Sequence, residues 1–93
     1  MIRGLYTMVG MRFRNAEKFV QSLPAGEPLT LIRDPNNAHD PHAVQVHARE
    51  QFVAFIKGTE VAKLAAVMDA GTKVTAKLAW GPRWPMVETE EGI

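Results

Sequence analysis

Cysteine is absent from the 93-residue chain, which excludes disulfide bonds, thiolate metal sites and cysteine nucleophiles. Long apolar runs are absent too, since no stretch approaches the roughly 20 residues needed to cross a bilayer. The first residues, MIRGLYTMVGMRFR, lack the charged start, the apolar segment and the cleavage site of a signal peptide. We therefore expect a cytoplasmic (intracellular) protein with no membrane partner.

The motifs of several common enzyme classes do not occur either. The chain contains no GxSxG, HExxH or GxxxxGKS/T pattern, and Ser22 is its only serine. These absences argue against hydrolase chemistry and against ATP use. The sequence thus predicts a protein that is not an enzyme and that uses no cofactor.

Charge is nearly balanced, with a formal net charge of +1 at pH 7. The chain as a whole therefore lacks the strong positive field of a non-specific nucleic-acid coat. The distribution is uneven, because three arginines fall in the first fourteen residues without an acid among them and three glutamates fall in residues 88–91. Any basic surface must be local.

The periodicity predicts short strands joined by tight turns, with two helices. Alternating apolar positions predict strands over 4–13, 28–33, 43–48, 51–56, 72–80 and 86–90. Helices are predicted from Asn15 to Leu23 and from a Thr59 cap to Gly71. The expected fold is mainly β with short helices (α+β), a small barrel or curled sheet of about six strands. We expect one domain over 1–93, whose acidic end, residues 88–93, frays.

The loop DPNNAHDPHAV, residues 34–44, concentrates polar side chains before an apolar run. His39, Asp40 and His42 are metal-ligand types, and His47 follows a strand away. Pro41 interrupts the loop, so no helical spacing places these side chains on one face. We therefore favour the interpretation that they are ordinary loop and surface histidines over a metal site.

The same loop also has the composition of a stiff scaffold. Asp34 and Asp40 each precede proline, which favours extended backbone, and Asn36 and Asn37 tolerate turn conformations. Composition alone leaves open whether this scaffold is a plain connection or a binding loop.

Four blocks of the sequence carry a resemblance to a known family. They are VGMRFR (9–14), LTLIRDPNNAHDPHAVQVH (29–47), FVAFIKGTEVAKLAAVMDAG (52–71) and VTAKLAWG (74–81), and together they resemble the HIRAN domain. The resemblance implies an OB-like β-barrel. In its best-understood members the domain lies at the N-terminal end of a fork-remodelling DNA translocase, where it holds the free 3′ end of single-stranded DNA.

The resemblance also implies a set of DNA-binding residues. Arg12 would contact phosphate, Phe13 would offer a ring to a base, and His39 would stack where an aromatic is frequent. Asn37 and Asp40 would hold the terminal nucleotide, Asp40 through the 3′ hydroxyl, and Lys57 would supply a basic group. Phe55 stands where Tyr or His is usual. Strand alternation points Arg14 the same way as Arg12, and with Arg14 and Phe55 added the predicted DNA-binding set is Arg12, Phe13, Arg14, Asn37, His39, Asp40, Phe55 and Lys57.

Asp40 explains why this set of residues would bind the end of a strand. A carboxylate repels phosphates along a strand, so it helps only where a hydroxyl replaces the next phosphate, which is at a chain end. The predicted function is capture of single-stranded DNA at a free 3′ hydroxyl in repair or replication, beside a helicase, translocase or nuclease in trans. The alternative is a HIRAN-fold module for protein interaction or regulation. The sequence leaves the oligomeric state open.

Two aromatic assignments remain open at this level. Phe13 falls in register with Val9 and Met11, which is a core pattern, unless the strand ends before it. Trp80 alternates with Leu78 and is expected in the core, whereas Trp84 is a candidate for an exposed second platform.

Overall fold

A computed structural model describes residues 2–92 of the chain. Within that range it contains six strands: β1 (Ile2–Val9), β2 (Pro28–Arg33), β3 (Val44–Ala48), β4 (Gln51–Ile56), β5 (Val74–Trp80) and β6 (Pro85–Glu91). The helices are α1 (Glu17–Gln21) and α2 (Val61–Asp69), and a 3₁₀ turn spans Arg12–Arg14. The strands form a closed antiparallel barrel in the order β1-β4-β3-β2-β5-β6, which confirms the predicted six strands and two helices.

The barrel interior is built by strand alternation. On β3, Val44 and Val46 are fully buried, while Gln45 and His47 point outward as predicted. Leu64 of α2 and Val20 of α1 belong to the same buried cluster. Each such side chain stabilises the fold by roughly 1.5–3 kcal/mol. Neither helix in residues 2–92 is long and apolar enough to span a membrane.

The first strand is shorter than predicted. It ends at Val9, because Gly10 adopts a left-handed conformation (φ 82°) that turns the chain into the 3₁₀ turn. The amide of Phe13 then donates to the carbonyl of Gly10 at 3.1 Å. Asn15 takes a left-handed conformation at the end of this turn, so its predicted capping of α1 is wrong.

The second helix begins at Val61, and the predicted Thr59 cap is wrong. Glu60 occupies the capping position, but its carboxylate reaches across to β1. One oxygen accepts the backbone N–H of Thr7 at 2.8 Å and the other accepts the Thr7 hydroxyl at 3.1 Å. This contact ties the start of α2 to β1.

The C-terminal region also departs from expectation. Residues Glu88–Glu91 do not fray but pair with both β1 and β5, and Ile93 lies outside the described residues. Trp80 is 43% exposed, so its expected place in the core is wrong. It lies at the end of β5, where its indole N–H donates to the carbonyl of Leu23 at 3.4 Å.

Candidate functional site

The loop 34–44 is organised around the side chain of Asn37. Its amide oxygen accepts the backbone N–H groups of His39 at 2.9 Å and Asp40 at 3.1 Å. Its amide nitrogen donates to Oδ2 of Asp34 at 3.2 Å. Such side chain to backbone bonds substitute for regular secondary structure in a tight loop. The structure therefore gives Asn37 a loop-holding role, and its predicted contact with a nucleotide stays a prediction.

Arg33, at the end of β2, fastens the loop from outside. Its guanidinium donates to the carbonyls of Ala43 at 2.8 Å and Pro41 at 3.0 Å, and it pairs with Asp69 at 2.9 Å. The hydrogen bond from Arg33 lowers the pKa of the Asp69 carboxyl. Arg33 was not among the predicted site residues. Its only signal was an arginine immediately before the first Asp-Pro pair.

Of the two carboxylate oxygens of Asp40, one accepts a hydrogen bond and the other does not. Oδ1 accepts the backbone N–H of His42 at 2.8 Å and lies 3.6 Å from Nδ1 of the same histidine. Oδ2 has no hydrogen-bond partner among residues 2–92, and it faces Gly58, where an added Cβ would lie 3.7 Å away. The arrangement offers one acceptor to an external donor.

Asp40 and Gly58 both line a groove of about 220 Å³, called here the Asp40 groove. Ala43 and Ile56 are buried residues that line it. The groove brings together four of the predicted site residues, and Val9 and Phe55 are direct partners across β1 and β4. Its other lining residues are Val9, Asn37, His39, Asp40, Phe55 and Gly58.

A second groove of about 390 Å³, the Arg12 groove, shares Val9 with the first. It contains the predicted cations Arg12 and Lys57. Arg12 is 85% exposed and lies 3.7 Å from Glu17, so the pairing is loose. The exposed ring of Trp84 lines the same groove, in line with the predicted platform. The main lining residues are Val9, Met11, Arg12, Glu17, Lys57 and Trp84.

Phe13 and Arg14 lie on the 3₁₀ turn beside these grooves. Phe13 is 90% exposed, so the core alternative is wrong for its ring. Arg14 is held against β4: its Nε donates to the carbonyl of Phe52 at 3.3 Å, and its guanidinium lies 3.5 Å above the Phe52 ring centre. The turn thus carries one loosely paired arginine, Arg12, and one that is held against β4, Arg14.

The histidines of the loop do not form a ligand set. Within residues 2–92, no three His, Asp or Glu side chains come together in a group that could hold a metal ion. His42 Nδ1 lies 3.6 Å from Oδ1 of Asp40, while His47 stacks on Phe52 on the outside of the barrel. Partial burial, and secondarily the charge of Arg14, lower the pKa of His47.

The fold is thus a small closed β-barrel with two grooves that share Val9. The sequence model of the HIRAN domain matches residues 4–83, and the chain belongs to the HIRAN domain family. The structure is similar to the HIRAN domain of human HLTF, with a TM-score of 0.73 and 23% identity over 97% of this chain and 73% of that one.

A protein from Lactobacillus plantarum is also similar, with a TM-score of 0.75 and 19% identity over 92% of this chain and 91% of that one. At these identities the two structures support the fold. No curated protein sequence matches the chain significantly.

Proposed function

We propose that this domain binds single-stranded DNA without catalysis and captures its free 3′ end. The observation that carries the proposal is the open Oδ2 of Asp40 in a groove that adjoins a cationic one. A nucleotide in the Asp40 groove can donate its terminal hydroxyl to this oxygen. Its 5′ phosphate then lies toward Arg12 and Lys57.

The charge of Asp40 selects the end over the interior of a strand. Two unit charges 4 Å apart repel by about 1 kcal/mol in water and about 4 kcal/mol at the effective dielectric constant of a protein surface. Asp40 is about one-third exposed, at 32%, which places the cost between these limits. An internal phosphate at this position is penalised, whereas a hydroxyl is hydrogen-bonded.

The remaining predicted residues supply sequence-independent affinity. His39, Phe55 and Trp84 present rings along the two grooves, and Phe13 presents an exposed one on the turn. Base stacking on a protein ring contributes roughly 1–3 kcal/mol per base, and each phosphate neutralised adds a salt-dependent term. Such a module fits work beside a helicase, translocase or nuclease that acts on the same end.

The test compares 5′-labelled ten-residue oligothymidylates that end in a 3′ hydroxyl or a 3′ phosphate, by fluorescence anisotropy at two salt concentrations. We expect the phosphorylated strand to bind at least about tenfold more weakly, which corresponds to about 1.4 kcal/mol. Asp40→Asn keeps the shape but removes the charge, so most of that difference should disappear. Glu50→Gln, on the exposed hairpin turn, controls for the change in net charge.

Equal affinities for both ends in the unaltered protein would contradict end capture. No binding of either strand at low salt would leave the protein-interaction module as the function of the domain.

A further inference from the structure

The outward face of the sheet formed by β2, β3 and β4 carries aromatic and aliphatic side chains. In an antiparallel barrel with its core inside, outward positions are normally polar. Strand register sets these residues in two rows, which we call the outer strip. The first row is Ile32, Gln45, Phe55 and Val9, and the second is Thr30, His47 and Phe52, with Arg14 beside it.

The second row is an ordered stack. The His47 and Phe52 rings are stacked with centroids 5.0 Å apart, and the Phe52 and Phe55 rings lie edge to face with centroids 5.1 Å apart. Arg14 lies over Phe52 from the 3₁₀ turn. Thr30, the strand partner of His47, is short, which leaves room beside the imidazole. Flat surfaces of this kind suit nucleobases, which stack on rings and on guanidinium planes.

Arg14 is a pre-positioned cation. Its Nε is tied to the Phe52 carbonyl, but its two terminal amino groups have no partner within residues 2–92. A guanidinium held in place loses little side-chain freedom when it binds a phosphate, unlike the loosely paired Arg12.

The outer strip is continuous with the proposed end site, since Val9 and Phe55 belong to both. Arg12 and Arg14 lie on one turn along the edge of β4, beyond the point where its pairing with β1 ends. Aromatic residues therefore follow β4 while arginines follow its edge. This is the arrangement that a single strand requires, with bases on one side and phosphates on the other.

We propose that the nucleotides 5′ of the captured end run along β4, with bases over Phe55 and the His47–Phe52 stack and a phosphate on Arg14. This inference rests on the proposed function. It makes the outer strip an extension of the end site, with single-stranded nucleic acid as its occupant. Binding should then strengthen with strand length over the first few nucleotides and level off once the strip is filled.

The experiment measures the affinity of oligothymidylates of two, four, six and ten residues with 3′ hydroxyl ends. Arg14→Gln should weaken the ten-residue strand about fivefold to tenfold, leave the dinucleotide within about twofold, and reduce the salt slope by about one. His47→Ala should act in the same direction and keeps the contact of Arg14 with Phe52. The matched control is Arg3→Gln, an exposed arginine on β1 opposite Glu90, which should bind like the unaltered protein.

The outcomes separate the two proposals. If Arg14→Gln loses equal affinity for the dinucleotide and for the ten-residue strand, the proposed path along β4 is overturned. It is also overturned if neither Arg14→Gln nor His47→Ala loses affinity for any strand. That second result would leave the outer strip as a surface for a protein partner. Loss confined to the long strands, without preference for a 3′ hydroxyl, would keep the strip and reject end capture. If Arg14→Gln fails to fold, His47→Ala decides alone.

Discussion

Replacing Asn37 with alanine is expected to destabilise the loop that carries Asp40, whereas the same change at Asn36 is not. The Asn37 side chain makes three hydrogen bonds within the loop, at 2.9, 3.1 and 3.2 Å. Each bond contributes about 0.5–1.5 kcal/mol to stability, and the loop is partly open to water, which replaces some of what is lost. We therefore expect a loss of about 1–2 kcal/mol. Asn36 is exposed and makes no side-chain hydrogen bond within residues 2–92, so it serves as the matched control.

Urea unfolding of the two variants measures this difference, and hydrogen exchange localises it. The amides of His39 and Asp40, which donate to the Asn37 side chain, should exchange faster in Asn37→Ala alone. Preference for a 3′ hydroxyl should decline as well, because Asp40 is no longer held in place. Equal stabilities and equal exchange in the two variants would refute the scaffold role. Loss of DNA affinity without loss of stability would instead indicate direct contact with the nucleotide.

Three further changes probe the charge and backbone of the domain. Glu17→Gln should raise affinity for single-stranded DNA about twofold to threefold in anisotropy titrations, because Glu17 competes for Arg12; lower affinity would contradict this. Glu50→Gly should raise the free energy of unfolding by roughly 0.5–1 kcal/mol in thermal melts, since φ is 68° at Glu50; a lower melting temperature would argue against strain there. The lowered pKa of His47 means that the unfolded chain binds more protons, so stability should fall as pH drops below about 6.5. Urea titrations between pH 5 and 8 should show a flatter dependence in His47→Gln than in the unaltered protein.

Local pattern was sufficient where a strand lies wholly in the barrel wall. Pro28–Arg33 and Gln51–Ile56 begin and end at the predicted residues, because each alternating run is bounded by turn residues. The predicted end of the first strand was wrong because Gly10 had two interpretations, a bend within the strand or the end of the strand. Alternation alone does not separate these, and the choice decides whether the Phe13 ring is buried or exposed.

The candidate site was likewise predicted only in part. The resemblance implied which residues belong together, and the structure brings Asn37, His39, Asp40 and Phe55 to one groove. The hydrogen bonds of these residues could not be predicted from the sequence, because each bond depends on the path of an irregular loop. The contact of Arg14 with Phe52 joins residues 38 positions apart and had no local signal at all.

The loop and Arg12 have different tasks under the proposed mechanism, and their side chains are held differently. Selection of an end depends on placing one carboxylate oxygen accurately, so the loop around Asp40 is fixed by Asn37 and Arg33. Affinity for a strand depends on several weak contacts that tolerate displacement, and a loosely paired Arg12 meets that need. A net charge of +1 is compatible with this division, because the cations need only outweigh Asp40 and Glu17 along a few nucleotides. A stronger overall positive charge would raise affinity for the interior of a strand as much as for its end, and would thereby weaken the selection that Asp40 provides.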